Sequence, residues 1–187
     1  MPTHTGTRTI ETERLTLRRF TYQDADDMLK YWISDEKVQS LYCEPAYKTK
    51  AAVKELLGKY IGGYEKESYY RWAVILKQTG ECIGQIAFFL VDDKNRFVEV
   101  EYCIGTQFQN RGYMTEAVNA VIEYGFERLN LHKIQVSHKA GNIASKRVIE
   151  KCGFVYEGTL RDYFYTETGY VDRLFYSILR DEHPCTK

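Results

Sequence analysis

Hydrophobic and polar positions alternate with a period of two in several short stretches of the chain, which is the pattern of a strand with one buried face. In Glu13–Phe20, for example, Leu15 and Leu17 alternate with Thr16 and Arg18. Six further stretches are predicted to be strands: Trp72–Lys77, Cys82–Val91, Phe97–Ile104, Lys133–His138, Phe154–Tyr163 and Tyr170–Arg180. The pattern therefore predicts a sheet of about seven strands.

A helical period of 3.6 residues predicts four helices. It is clearest in Arg111–Leu129, where apolar residues recur at positions 118, 121, 122, 125, 126 and 129. The other three are Asp24–Ile33, a helix that follows Thr49 with an apolar face from Val53 to Tyr64, and one from about Asn142 to Cys152. The long helix lies between two predicted strands, so these three elements should form a right-handed crossover with parallel strands.

These elements predict a mixed α/β fold. The chain has 187 residues and a mass of 22.0 kDa, which fits one domain, 1–187, with a core from about residue 9 to residue 181 and short tails. Apolar residues make up 44% of the chain, enough to bury such a core. The sequence shows neither an internal repeat nor a linker.

Charge and cysteine content exclude several classes of function. Lys and Arg number 26, as do Asp and Glu, so a strong attraction to nucleic acid or to an anionic membrane is not expected. The longest apolar run, Ile86–Val91, is too short to span a membrane. Five cysteines without a C-x-x-C pair and a polar start favour a reduced, cytoplasmic protein. Four scattered histidines give no metal-ligand spacing, so no metal is expected.

A loop, Gly105–Glu116, runs directly from the fourth predicted strand into the long helix. The first turn of a helix holds backbone NH groups without partners and a partial positive charge. Gly112 has no side chain to keep a ligand away from these groups, so the loop is a candidate phosphate site. The plainer interpretation is that Gly112 only permits a tight turn into the helix.

Positive charge is concentrated on the elements that flank this loop. Between Arg128 and Lys151 the chain carries six Lys or Arg residues and one Glu, although the whole chain is neutral. Such lysines commonly line a solvated face, but their position next to the loop favours a polyanionic cofactor.

The loop Gln109–Met114 resembles the acyl-CoA loop, R/Q-x-x-G-x-G/A, of the GCN5-related N-acetyltransferases (GNAT). The similarity extends along almost the whole chain and is strongest for the branch that acetylates the N-termini of ribosomal proteins. The other segments that resemble this branch are Glu11–Arg18, Asn142–Arg147, Glu150–Phe154, Phe154–Gly158 and Tyr170–Ser177, and Tyr113, Thr115, Glu116 and Ala117 resemble its helix entry. The ordered set, in matching strand and helix contexts, is specific.

The resemblance implies a fold whose fourth and fifth strands splay apart, with the pantetheine of acetyl-CoA in the gap. The implied cofactor-binding residues are Ile104, Gln109, Asn110, Arg111, Gly112, Tyr113, Met114, Thr115, Asn142 and Ser145. Two positions depart from the family pattern. Met114 stands where Gly or Ala is usual, and Ile149 stands where other branches place the tyrosine that protonates the leaving thiolate.

Acetyl transfer requires a neutral amine, so a base is useful. At pH 7, deprotonation costs about 4.6 kcal/mol for a lysine-like amine and about 1 kcal/mol for an α-amine. Glu99 and Glu101 share one face of the fourth strand, and Glu99 is the expected base, directly or through water, with Glu101 as the second candidate. Both could instead face solvent or pair with arginines.

Ser145 is similar to the branch's serine near the cofactor sulfur, where a hydroxyl can stabilise the thiolate by a hydrogen bond. It could also be an ordinary first-turn residue, and Asn142 could be only a helix cap. Cys103 is expected to be a buried hydrophobe, so direct transfer is favoured over an acyl-cysteine intermediate.

The sequence therefore predicts an N-acetyltransferase that uses acetyl-CoA. The acceptor is either a protein N-terminal α-amine or a small-molecule amine. The alternative is a non-catalytic acyl-CoA-binding or regulatory module on the same fold. Exposed strand edges near the C-terminus also suggest a homodimer.

Overall fold

The computed structural model describes residues 2–42, 44–167 and 169–183, so Cys43 and Cys185 lie outside the described residues. Within these ranges the chain forms one sheet of eight strands in the order β1-β2-β3-β4-β5-β6-β8-β7. The strands are β1 Ile10–Glu11, β2 Leu15–Arg18, β3 Tyr70–Leu76, β4 Cys82–Asp92, β5 Phe97–Ile104, β6 Lys133–Lys139, β7 Val155–Thr166 and β8 Gly169–Leu179. The helices are α1 Ala25–Tyr31, α2 Glu36–Tyr42, α3 Lys50–Gly63, α4 Tyr113–Glu127 and α5 Ile143–Lys151.

Strands β5 and β6 form a parallel pair, joined through α4 as the sequence predicts. Their pairing covers four residues of each strand, Phe97–Val100 with Lys133–Val136. Strand β5 nevertheless continues to Ile104. Because both strands run on beyond their last shared pair, they part at their carboxyl ends. Strands β5 and β6 are the fourth and fifth strands predicted from the sequence, so the expected splay between them is confirmed.

A β-bulge in β4 lies opposite the point where this parting begins. Val100 pairs with Phe88, and Glu99 pairs with Leu90, so Phe89 is the extra residue. A bulge bends its strand and increases the local twist. It therefore helps β5 to turn away from β6.

Helix α4 carries the most regular apolar face of the chain. Its residues at positions 117, 118, 121, 122, 125 and 126 are buried, as the helical period predicts. The helix begins two residues later than expected because Gly112, at φ +81°, has a left-handed conformation and forms the N-cap. The burial of this face fixes the start of α4 beside the open end of the sheet.

The structure adds two elements to those predicted. The sequence does not predict helix α2, because seven residues hold only two turns, too few for a period to stand out. Its signal was Asp35, whose carboxylate accepts hydrogen bonds from the backbone NH groups of Lys37 and Val38 at 2.9 and 3.2 Å. Strand β1 has two residues and no alternation to detect. The described ranges thus hold eight strands and five α-helices, against about seven and four expected.

Strands β7 and β8 form a long hairpin at one edge of the sheet. The sequence places the end of β7 at Tyr163, but the strand continues to Thr166 after an irregularity between Leu160 and Phe164. Asp162 lies in that irregularity with φ +51°. This irregular segment brings Tyr163 towards β5 and β6. In the described part of the chain, no helix has the length and apolar character needed to cross a membrane.

The close approach of β4 to β5 yields a test of the sheet. A Cβ on Gly84 would collide with the backbone carbonyl of Cys103 and lie 3.0 Å from the Cα of Ile104. We expect Gly84→Ala to lower the free energy of unfolding by about 1–3 kcal/mol in urea titrations. Gly62→Ala is the control, since nothing lies within 4 Å there and alanine favours helix by about 0.5–1 kcal/mol. Equal effects of the two substitutions would contradict the packing described here.

Candidate active site

The parting of β5 and β6 opens a cavity of about 610 Å³. Its walls come from both strands, from the starts of α4 and α5, from α2, and from the β7–β8 hairpin. Of the residues assigned to cofactor binding from the sequence, nine line it: Ile104, Gln109, Asn110, Gly112, Tyr113, Met114, Thr115, Asn142 and Ser145. Arg111 is not among the lining residues, and its backbone carbonyl instead accepts a hydrogen bond from Arg14 at 3.0 Å.

One end of the cavity is the start of α4. No side chain caps this helix at Gly112, so the backbone NH groups of its first turn are left for a ligand or solvent. The left-handed φ of Gly112 strains any other residue, and a Cβ there would lie 3.3 Å from a guanidinium nitrogen of Arg14. An uncapped helix start without side-chain obstruction suits a phosphate group.

An ion pair anchors the first turn of α4 to the sheet. The Glu116 carboxylate accepts hydrogen bonds from the Arg14 side chain at 2.6 Å, from the Arg14 backbone at 2.8 Å and from the Thr12 hydroxyl at 2.6 Å. Burial acts to raise the pKa of Glu116, but these hydrogen bonds outweigh it and lower that pKa below its ordinary value. The anchor fixes the direction in which the NH groups of the helix point.

Both departures from the family pattern are accommodated by packing. Met114 is 5% exposed and belongs to the hydrophobic core, so its bulk is absorbed by the packing of α4. Ile149 is fully buried in the same core. Position 149, where other branches have the acid tyrosine, is therefore occupied in this chain by a residue that packs in the core.

At the start of α5, Asn142 and Ser145 form a cap and a hydroxyl cluster. The Asn142 side-chain oxygen accepts a hydrogen bond from the Ser145 backbone NH at 3.1 Å, so Asn142 caps the helix while it lines the cavity. The hydroxyl groups of Ser145 and Tyr102 lie 2.9 Å apart. Sequence reasoning missed Tyr102, because the residue at which β5 stops pairing with β6 cannot be read from the sequence.

Glu99 lies at the centre of a buried network. Its Oε1 accepts hydrogen bonds from Arg173 at 2.6 Å and from the Ser137 hydroxyl at 2.7 Å, and its Oε2 accepts one from Gln135 at 3.1 Å. Arg173 also donates to the Tyr163 hydroxyl at 2.9 Å. A carboxylate has about four lone-pair positions, so one position on Oε2 is left for a further donor.

Glu101 has fewer partners than Glu99. Its Oε1 pairs with Arg71 at 2.5 Å, and its side chain is 24% exposed. Arg71 also donates to Gln85 at 2.9 Å and lies over the ring of Tyr60. Both carboxylates line the cavity, so both stay candidates for the base, and each has the arginine partner that the sequence left open.

The basic cluster expected next to the loop is divided. Lys139, Arg147 and Lys151 line the cavity. Lys133 instead pairs with Glu157 at 2.9 Å, and Lys146 lies 3.7 Å from Glu150. The structure therefore brings three of the six basic residues to the cavity, where a polyanion would meet them.

Comparison with known proteins adds to this geometry. A family model described as an acetyltransferase (GNAT) domain matches residues 14–155. The Bacillus licheniformis protein p20, named as an uncharacterized N-acetyltransferase, is 31% identical over 176 residues, which are 94% of this chain and 98% of that protein. YdaF of Bacillus subtilis, whose name assigns it provisionally to the ribosomal N-acetyltransferases, is 35% identical over 107 residues, 57% of this chain and 58% of that protein.

A solved structure shares the architecture. Spermidine N-acetyltransferase from Vibrio cholerae, in complex with CoA and spermine, matches with a TM-score of 0.78 at 26% identity, covering 91% of this chain and 98% of that chain. The fold class and the family resemblance expected from the sequence are both confirmed.

The anchor at Glu116 predicts a stability that depends on pH. We expect Glu116→Gln to lower the free energy of unfolding by about 1–3 kcal/mol near pH 7, because a partly buried carboxylate that accepts three hydrogen bonds is lost. The loss should shrink as the pH falls through the lowered pKa of Glu116, since the wild type then loses the same charge. Urea titrations from pH 7 to pH 3 measure this.

Glu55→Gln is the control for this experiment. Glu55 pairs with Lys59 at 3.5 Å across an exposed face of α3, so its replacement should have no measurable effect at any pH. A loss in Glu116→Gln that does not vary between pH 7 and pH 3 would refute the role of the charge.

Proposed function

Because the chain belongs to the GNAT family and is an N-acetyltransferase, we propose that it transfers the acetyl group of acetyl-CoA to a primary amine by direct attack in a ternary complex. One observation carries the proposal. A single cavity at the parted strands joins an uncapped helix start, suited to a pyrophosphate, to a region that holds two carboxylates. The two substrates can thus meet in one chamber.

Acetyl-CoA would lie along the α4 side of this cavity. The backbone NH groups of Tyr113, Met114 and Thr115 would bind the pyrophosphate, and Arg147 and Lys151 add positive charge nearby. The pantetheine would occupy the gap between β5 and β6, where Ile104 and Asn142 form the walls. Gln109 and Asn110 would line the approach. In this arrangement the thioester reaches Ser145.

The reaction exchanges one bond for another. The amine nitrogen attacks the acetyl carbonyl carbon, a C–N bond forms, and the C–S bond breaks. The amine gives up a proton, and the sulfur departs as a thiolate that is protonated on release. The neutral amine must therefore be available in the cavity, and Glu99, with its remaining lone pair on Oε2, is the proposed acceptor of the proton, directly or through water. Glu101 is the second candidate.

The acceptor we propose is a protein N-terminal α-amine, ahead of a small-molecule amine. Both carboxylates are already held by arginines, Glu99 by Arg173 and Glu101 by Arg71, so an acceptor amine that needs little help from a base suits this cavity. An α-amine needs the least help, since its deprotonation at pH 7 costs about 1 kcal/mol against about 4.6 kcal/mol for a lysine-like amine. Relatives named for ribosomal proteins and for spermidine represent the two acceptor classes.

The three described cysteines are buried free thiols, in accord with the cytoplasmic location expected from the sequence.

Cofactor binding at the start of α4 is tested by adding a negative charge there. We expect Gly112→Glu to weaken acetyl-CoA binding at least about tenfold in calorimetric titrations, because the new carboxylate occupies and repels the phosphate position. Gly80→Glu is the matched control. Gly80 has a similar φ of +75° in the β3–β4 turn with open space around it, so backbone strain is matched while binding is retained. Equal loss of binding in both variants would reject the site.

The base is tested by two glutamine substitutions. We expect Glu99→Gln to lower kcat by about 10²-fold or more on N-terminal peptides, and Glu101→Gln to lower it much less. Glu99→Gln also leaves Arg173 with a weaker partner, so unfolding must be measured alongside activity. Gln135→Ala removes one hydrogen bond and keeps the carboxylate, and it should cost stability with a far smaller loss of kcat.

The outcomes of these assays are distinct. A larger loss in Glu101→Gln than in Glu99→Gln would exchange the roles of the two carboxylates. Thiol release with polyamines or amino acids, and none with any N-terminal peptide, would move the acceptor to the small-molecule class. Acetyl-CoA binding without thiol release on any amine would favour the non-catalytic module.

A further inference from the structure

One hydroxyl group of the cavity contacts a residue of the proposed site although the proposed function gives it no task. Tyr102 lines the cavity, and its hydroxyl lies 2.9 Å from Oγ of Ser145 and 3.2 Å from the backbone oxygen of the same residue. Both contacts are with a single residue, the one whose hydroxyl is expected beside the sulfur. The ring of Tyr102 thus links strand β5 to the first turn of α5.

This link depends on the parting of the strands. The last residue of β5 that pairs with β6 is Val100, two positions before Tyr102. From that position, the side chain of Tyr102 reaches across to the start of α5. Ser145 is fixed there by the hydrogen bond from its backbone NH to Asn142. The phenol therefore comes from the strand, whereas Ile149, one turn further along α5, is buried in the core.

We infer that Tyr102 is a positioning residue for the departure of the sulfur: its single hydroxyl hydrogen goes to Oγ of Ser145, the nearer acceptor at 2.9 Å, and not to the backbone oxygen at 3.2 Å, and this directs the Ser145 hydrogen towards the thiolate. The inference rests on the proposed function and adds a residue to it. A hydroxyl that already accepts a hydrogen bond is a better donor in turn, because hydrogen bonds in a chain polarise one another. The two hydroxyls thus act as one donor of fixed direction.

Tyr102 keeps its proton throughout the reaction. As the C–N bond forms and the C–S bond breaks, the negative charge on sulfur is stabilised by the Ser145 hydrogen, and the thiolate is protonated by solvent after release. Burial raises the pKa of Tyr102, although the hydrogen bond with Ser145 opposes this shift. A thiol has a pKa near 8.5, so transfer of the tyrosine proton to the thiolate is uphill. A hydrogen bond, not a proton, is what the pair supplies.

The activity test uses Tyr102→Phe, which removes only the hydroxyl. We expect kcat to fall about tenfold while the Kd of acetyl-CoA stays the same, since the hydrogen bond strengthens only as charge develops on sulfur. Ser145→Ala should lower kcat further, and the double variant should equal Ser145→Ala alone, because Tyr102 acts only through Ser145. Additive losses would overturn the inference.

Tyr124→Phe is the control for a general loss of packing. Tyr124 lies on helix α4 and does not line the cavity. Its hydroxyl donates a hydrogen bond to the backbone oxygen of Gly6 at 2.9 Å. Tyr124→Phe should lower the free energy of unfolding by an amount similar to Tyr102→Phe and leave kcat unchanged. Equal falls of kcat in Tyr102→Phe and Tyr124→Phe would show that the effect is structural.

A second measurement needs no turnover. The ionisation of the thiol of bound CoA is measured as a function of pH by its ultraviolet absorbance. The absorbance of the complex with desulfo-CoA, which has no sulfur, is subtracted. We expect the bound thiol to ionise about one pH unit lower in the wild type than in Tyr102→Phe, the equivalent of the tenfold change in kcat. Identical titrations would overturn the inference even if the enzyme is active. Absence of turnover on every amine, together with the expected shift in this titration, would reject the proposed function and show only that Tyr102 and Ser145 stabilise a bound thiolate.

Discussion

The fold depends on how the two central parallel strands can part without leaving their backbone groups unpaired. Buried NH and C=O groups without partners are costly, so a sheet rarely opens in its middle. Here each strand keeps its other neighbour as it diverges: β5 remains paired with β4 as far as Ile104, and β6 remains paired with β8 as far as Lys139. Beyond their last shared pair, the two strands therefore have unpaired backbone NH and C=O groups only on the side that faces the cavity. A ligand with amide groups can form hydrogen bonds with them there.

The charged side chains of the cavity follow from the same geometry. A pleated strand places alternate residues on one face, which sets Glu99 and Glu101 side by side. Two carboxylates this close repel each other, and the structure provides each with its own guanidinium, Arg173 for the first and Arg71 for the second. These pairs hold the two carboxylates in fixed positions on the wall of the cavity.

Local periodicity predicted most of the fold, because long elements repeat their pattern several times. Helix α4 and the parallel β5–β6 pair are of this kind, whereas α2 and β1 are too short to show a period. For the site, the loop before α4 and the start of α5 were predictable because the motif is contiguous in sequence. The arginines were not, since Arg173 meets Glu99 from 74 positions away, and no local pattern encodes such a pairing.

The exchange of a tyrosine for Ile149 shows why a missing residue is a weak argument against activity. A role in a site is defined by where a polar group lies, and several elements can bring a group to the same place. The carboxyl end of β5 and the first turn of α5 both border the cavity. A tyrosine on the strand can therefore supply the hydroxyl group when position 149 of the helix is occupied by a core residue. Tyr102 meets Ser145 in this way. The loss of the helical tyrosine and the presence of a hydroxyl pair at the gap are thus compatible in one active site.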